Sequence, residues 1–135
     1  MANEPTNTGS RDPAHAAVIV NATERIAADG RSFGIHEWRG SGPATLHVHY
    51  EDDEAWHVLE GTLRFRFADR TVKVGPGGTV FAPAGVAHTY EALGPARYLI
   101  VVPPRLRALI AALQSAPDRS TDDEIYRRHG SALLE

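Results

Sequence analysis

Gly42-Pro43-Ala44-Thr45-Leu46-His47-Val48-His49-Tyr50-Glu51-Asp52-Asp53-Glu54-Ala55-Trp56-His57-Val58-Leu59-Glu60-Gly61 is the stretch on which the fold turns. His47 and His49 are one residue apart, so on a strand both imidazoles leave the same face. Glu51-Asp52-Asp53 reads as a tight acidic turn, and Glu54 opens a second apolar run that closes at Gly61. Two neutral imidazoles side by side, with a carboxylate delivered from the neighbouring strand, make most of a divalent transition-metal site. A fourth ligand has to come from elsewhere. His88 is suited to it, because in Phe81-Ala82-Pro83-Ala84-Gly85-Val86-Ala87-His88 a Pro-x-Gly turn presents a histidine at the start of another strand.

Outward from this stretch the chain reads as many short strands punctuated by Gly and Pro. Val18-Ile19-Val20, within residues 16–21, is compatible with a first strand, and residues 32–38 with a second, broken by Gly40-Ser41-Gly42-Pro43. Strands follow at 45–50 and 54–59. In residues 62–67, Leu63, Phe65 and Phe67 alternate with Thr62, Arg64 and Arg66, the clearest period-two signal in the chain. Further strands fall at 71–74, 79–82, 88–93 and 98–102. The pattern predicts an all-β antiparallel barrel or double-sheet jelly roll. Pro103-Pro104 ends it. Leu106, Leu109, Ile110 and Leu113 then lie on one face of a helix, and Thr121 with Glu124 reads as a capping box for a second, ending near His129 with Gly130 as its C-cap. The organisation predicted is a disordered segment at 1–15, a barrel at 16–103 and a helical tail at 104–135, the tail serving packing rather than chemistry, either over one end of the barrel or against a second subunit.

Residues 42–61 and 77–88 resemble the two signature motifs of the cupin superfamily. His47, His49, Glu54 and Gly61 match the first, and Gly77, Pro83, Gly85 and His88 the second, though Ala92 stands where the family has Asn. Gly42 also lies one residue nearer to His47 than the family's opening glycine. The resemblance covers most of residues 30–103. It implies a double-stranded β-helix (jelly-roll) cupin barrel and His47, His49, Glu54 and His88 as ligands to one divalent metal. The match is to small single-domain cupins, loosely similar to quercetin dioxygenases. A set of three histidines and one glutamate suits Fe, Mn, Ni, Cu or Zn and disfavours Mg and Ca, without choosing within the first group.

Strand parity puts Trp56 on the face of Glu54 and Tyr90 on that of His88, which makes both candidates for a substrate pocket as well as for core. His57 falls on the face opposite the metal. It, Glu60 and His36 are the weaker candidates for acid–base work, His57 becoming the best general base if a bulge reverses the parity. Arg64 and Arg66 read as solvated, unless one holds an anionic substrate.

The 135 residues make one domain with a net charge of −3 and no cysteine, so disulfides, thiolate ligands and cysteine nucleophiles are excluded together. No basic stripe points to nucleic acid, no apolar run approaches membrane-spanning length, and residues 1–10 lack the signature of a signal peptide. A cytoplasmic protein is expected. Gly75-Pro76-Gly77-Gly78 has no following Lys-Ser/Thr or helix and reads as a hairpin turn rather than a phosphate loop. Within the family the resemblance implies a metal-dependent enzyme on a small aromatic or enediol-like substrate, an oxidoreductase of dioxygenase type first. Alternatives are an isomerase or polyketide cyclase, or a non-catalytic small-molecule-binding cupin. Small cupins being commonly dimers, a homodimer is expected.

Overall fold

The computed structural model describes residues 16–135, so the expectation for residues 1–15 lies outside the described residues. Two five-stranded antiparallel sheets face one another. One is ordered β1 (Ala27–Asp29), β2 (Gly34–Arg39), β9 (Arg97–Val102), β4 (Glu54–Glu60), β7 (Thr79–Ala82). The other is ordered β10 (Ser131–Leu133), β3 (His47–His49), β8 (His88–Ala92), β5 (Leu63–Phe67), β6 (Thr71–Val74). The helices α1 (Pro104–Ser115) and α2 (Asp122–Arg128) connect β9 to β10.

The alternation seen in the sequence sorts side chains between the sheets. Leu63 and Phe65 are fully buried, and Phe65 stands opposite Tyr90 in the ladder. From the other sheet, Trp56, Val58, Tyr98 and Ile100 point inward. Trp56 is the hub: its ring meets those of Phe65, His88 and Tyr90 edge-on, at 5.0, 5.2 and 5.6 Å between centroids. A register shift interrupts β4 against β9 between Val58 and Glu60. It lies beyond Glu54–Val58, so the parity of the site residues is untouched.

Three expectations differ. Residues 16–21 form no strand, and Val18 and Ile19 are exposed. β-branched residues favour a strand only with a pairing and packing partner; the first strand is β1, turned onto β2 through a Gly30 N–H bond to the Phe33 carbonyl at 2.9 Å. Thr121 is the N-cap residue of α2 but makes no side-chain cap bond. Its φ of −105° and ψ of 7° are not the extended conformation in which a hydroxyl reaches the first-turn N–H groups, and Glu124 pairs instead with Arg128 at 2.7 Å. Finally, the tail is not purely helical: β10 pairs with β3, placing Ser131 opposite His49 and Leu133 opposite His47.

Gly61 joins β4 to β5 with φ +81°, and a Cβ there would collide with the Pro95 carbonyl oxygen and stand 2.8 Å from Ala96 Cα. Gly40 has φ +83° but open space around it. Gly61→Ala is expected to destabilise the fold by about 3 kcal/mol or more, and Gly40→Ala by about 1 kcal/mol. Denaturant unfolding of both variants checks this; equal losses would show that φ alone, and not the close approach of Pro95, makes glycine necessary at position 61.

Candidate metal centre

β3 carries His47 and His49, β8 carries His88, and β4 of the facing sheet carries Glu54; all four are buried. His47 and His88 stand opposite one another in the ladder between β3 and β8. One ligand atom from each histidine lies within 4.8 Å of those of the other two. Glu54 Oε1 closes the group, 3.1 Å from His49 Nε2 and 3.2 Å from His88 Nε2.

The rings are oriented from behind. His47 Nδ1 donates to the Thr45 carbonyl at 2.9 Å, and His88 Nδ1 to the Val86 carbonyl at 2.9 Å. A carbonyl only accepts, so both rings carry their proton on Nδ1 and turn an Nε2 lone pair inward. His49 Nδ1 meets Ser131 Oγ at 2.7 Å, and that hydroxyl donates onward to the His129 carbonyl at 3.2 Å, leaving its lone pairs for His49. Three Nε2 atoms and a carboxylate therefore converge, and the short contacts of Glu54 with His49 and His88 need a proton or a metal ion between them. Such a set calls for positive charge at its centre, and three borderline nitrogens with one carboxylate oxygen fit a divalent transition metal.

The electrostatics agree. Burial, then the neighbouring His88 and His49, lowers His47 to about 4, so it is a neutral ligand at pH 7. Burial alone would raise Glu54, but His49 and His88 outweigh it and hold the carboxyl down at about 2.

Above this group lies a cavity of about 410 Å³, lined from the barrel by Trp38, Trp56, Tyr90 and Ile100 as well as by His47, His49 and Glu54. Its other wall is the tail: Leu106, Leu109, Ile110, Leu113 and Gln114 of α1, Arg119 of the connection, and Asp122 and Tyr126 of α2. Tyr126 leans on His47 at 5.3 Å between ring centroids, and burial, followed by the Asp122 and Glu54 carboxylates, pushes its phenol upward. Tyr98 donates to the Gly40 carbonyl at 2.6 Å, so the 3.0 Å contact between the two hydroxyls is donated by Tyr90. Of the two places open to the tail, the structure puts it over one end of the barrel, where it walls the cavity and braces His49.

The other sequence candidates stand apart from the cavity. His57 turns to the outer face and meets Thr79 Oγ1 at 2.7 Å, Glu60 pairs with Arg97 at 3.2 Å, and His36 is buried against Asp29 at 2.7 Å. Arg64 and Arg66 are on the outer side, paired with Glu91 and Glu135. Sequence reading missed Asp122, Tyr126 and Ser131. Asp122 and Tyr126 are four apart in one helix and so share a face, but nothing local told that this face meets the histidines.

Ser131→Ala is expected to weaken metal binding about tenfold by freeing the His49 ring, with little change in the far-ultraviolet circular dichroism. Ser131→Thr, which keeps the hydroxyl, is expected to recover most of it. Metal-competition titration checks both; unchanged affinity in the alanine variant would deny Ser131 its orienting role.

A model of the cupin domain matches residues 34–102. The chain is a cupin. Solved structures with this cupin's fold include a cupin-2 domain protein from Shewanella frigidimarina, 24% identical with a TM-score of 0.53 over 63% of this chain and 84% of that one. A double-stranded β-helix protein from Klebsiella pneumoniae is 20% identical, TM-score 0.50, over 76% of this cupin and 92% of that chain. A sugar phosphate isomerase of the cupin superfamily from Silicibacter pomeroyi is 28% identical, TM-score 0.50, over 55% and 52%. No curated protein matches this cupin's sequence. No helix of the described residues is long and apolar enough to cross a membrane.

Proposed function

We propose that this cupin is a metal-dependent enzyme acting on a small, largely apolar organic molecule, with oxygen-dependent, dioxygenase-like chemistry on an aromatic or enediol-like substrate. The observation that carries this reading is the convergence of His47, His49, His88 and Glu54 at the floor of an apolar cavity. A redox-active metal held there would supply one-electron chemistry and a Lewis-acidic position for substrate oxygens. The chain's residues do the rest. Trp56, Tyr90, Leu106 and Leu109 offer an apolar slot for a flat molecule, and a ligand set with a single carboxylate leaves a divalent ion with residual positive charge.

The isomerase from Silicibacter pomeroyi invites a second reading as an isomerase or cyclase, favoured here by the Asp122 carboxylate in the cavity wall, a proton acceptor apart from the metal set. A sugar phosphate suits the cavity poorly. Among the described residues Arg119 is the one Lys or Arg side chain lining it, and it faces Asp122 at 3.3 Å.

Elemental analysis of protein purified without added metal, followed by oxygen uptake with 3-hydroxyflavone and with catechol, tests the proposal. About one transition-metal ion per chain and substrate-dependent oxygen consumption are expected. A metal without oxygen uptake would move the choice to the isomerase or cyclase, and failure to take up metal on reconstitution would end the metal-enzyme reading.

A homodimer is part of the same proposal. Ile35, Val101, Ala55 and Phe81 stand in register across one row of the first sheet, facing away from the core, and Phe81 and nearby Phe33 are more than half exposed. Sedimentation of the wild type as a dimer, and of Phe81→Glu as a monomer, is the expected result; a wild-type monomer at micromolar concentration would refute it.

A further inference from the structure

Among the described residues, two buried side-chain polar atoms lack a hydrogen-bond partner, Trp56 Nε1 and Asp122 Oδ1, and both residues line the cavity over the histidines. One is a donor and the other an acceptor. Buried polar atoms without partners are rare in folded proteins, and each asks for one. Both residues line one cavity, Trp56 on its barrel wall and Asp122 on its helical wall; neither atom is itself open to solvent, while the Asp122 side chain as a whole keeps 17% of its surface exposed.

We propose that the occupant is a neutral, largely apolar molecule bearing a hydroxyl or N–H group that donates to Asp122, so that this carboxylate, and not the barrel, sets the selectivity of the site. The proposal rests on reading this cavity as the substrate site.

Asp122 spends only one oxygen inside the protein. Its Oδ2 faces Arg119 Nη1 at 3.3 Å, while Oδ1 has no partner. Arg119 is itself held, since its Nη2 donates to the Leu113 carbonyl at 2.8 Å near the end of α1. That guanidinium is thus committed to joining α1 to α2 and to balancing Asp122. Among the described residues the helical end of the cavity has no unmatched cation to receive a phosphate or carboxylate, and an anion brought there would stand beside the Asp122 carboxylate. A donor in the same place makes a charge-assisted bond. The cavity is lined as well by Ile100, Leu106, Leu109 and Leu113, which offer an occupant apolar contact, and by Tyr126, whose ring lies against His47. On the barrel wall, the Trp56 N–H makes no hydrogen bond among the described residues.

The test compares binding of 2-naphthol, which carries a hydroxyl donor, with that of 2-methoxynaphthalene, which does not. Quenching of probe fluorescence is measured on the full chain, as purified and after chelator treatment, for wild type, Asp122→Ala and Asp122→Asn. In the wild type 2-naphthol is expected to bind about tenfold more tightly than the ether, the effect of one hydrogen bond to a charged group. That preference should vanish in Asp122→Ala, fall to about threefold or less in Asp122→Asn, and survive the chelator. Melting curves establish that each variant is folded, and if Asp122→Ala is not, the isosteric Asp122→Asn decides. A preference that disappears with the chelator but persists in the Asp122 variants would mean that the metal takes the hydroxyl, overturning this proposal while supporting the metal reading. A preference that follows Asp122 in protein unable to take up metal would end the metal reading and leave this proposal standing. Equal binding of the two probes, or no binding of 2-naphthol, overturns it.

Discussion

His88→Ala protein purified without added metal is expected to hold less than about a tenth of the metal found in the wild type, and His49→Ala to behave alike. Each removes one of three inward nitrogens, and neither a hydroxide nor a water can be oriented from behind as the Val86 carbonyl and Ser131 orient His88 and His49. His88 is also almost wholly buried at 1% exposure and touches Trp56, so its truncation leaves a void. His88→Gln fills most of that void without restoring the imidazole and separates loss of the ligand from loss of packing. Adding a chelator should lower the melting temperature of the wild type and leave that of both His88 variants unchanged, because only a ligand bound to the native state contributes to its stability. Metal retained by both His88 variants would remove this residue from the site.

Removing residues 104–135 is expected to leave a chain that does not fold, even though most of the barrel's strands remain. Leu106, Leu109, Leu113, Ile125 and Tyr126 are buried against the core. At roughly 1.5–3 kcal/mol for each buried apolar side chain, their loss comes to about 10 kcal/mol, as large as the whole stability of a typical domain. The cut also takes away β10, exposing the edge of β3, and breaks ties between the tail and the barrel, among them Arg105 with Asp52 at 2.7 Å, Glu135 with Arg66 at 2.7 and 2.9 Å and Ser131 with His49 at 2.7 Å. Circular dichroism and solubility of the shortened chain decide the matter. A soluble barrel with a cooperative melt would show the tail to be an accessory.

The barrel was legible in the sequence because its causes are local. Period-two alternation in Leu63–Phe67, glycines at turns and the Pro83-Ala84-Gly85 corner each act within a few residues, and the histidine pair shares a face by the geometry of any strand. Trp56 and Tyr90 could be placed on the inner faces for the same reason, no bulge intervening between Glu54 and Val58. What escaped was set at long range. Ser131-Ala132-Leu133 is too short to announce a strand, and it becomes one only because β3 offers an unpaired edge. Asp122 and Tyr126 look like ordinary residues of a charged helix until α1 turns them over the histidines. Val18-Ile19-Val20 erred in the opposite direction, having the propensity of a strand without a neighbour to pair with.

The bond between His49 and Ser131 joins residues 82 positions apart. Contacts of such separation form late, because the intervening chain must be ordered before the gain from the contact is realised. The histidine pair of β3 and Glu54 of β4 belong to different sheets and meet only when those sheets pack together. The ring of His49 acquires its fixed tautomer only after both sheets, α1 and α2 have come together. The centre is therefore the last part of the molecule to be finished, and a metal ion acts as a lock on a completed fold rather than as a seed for it.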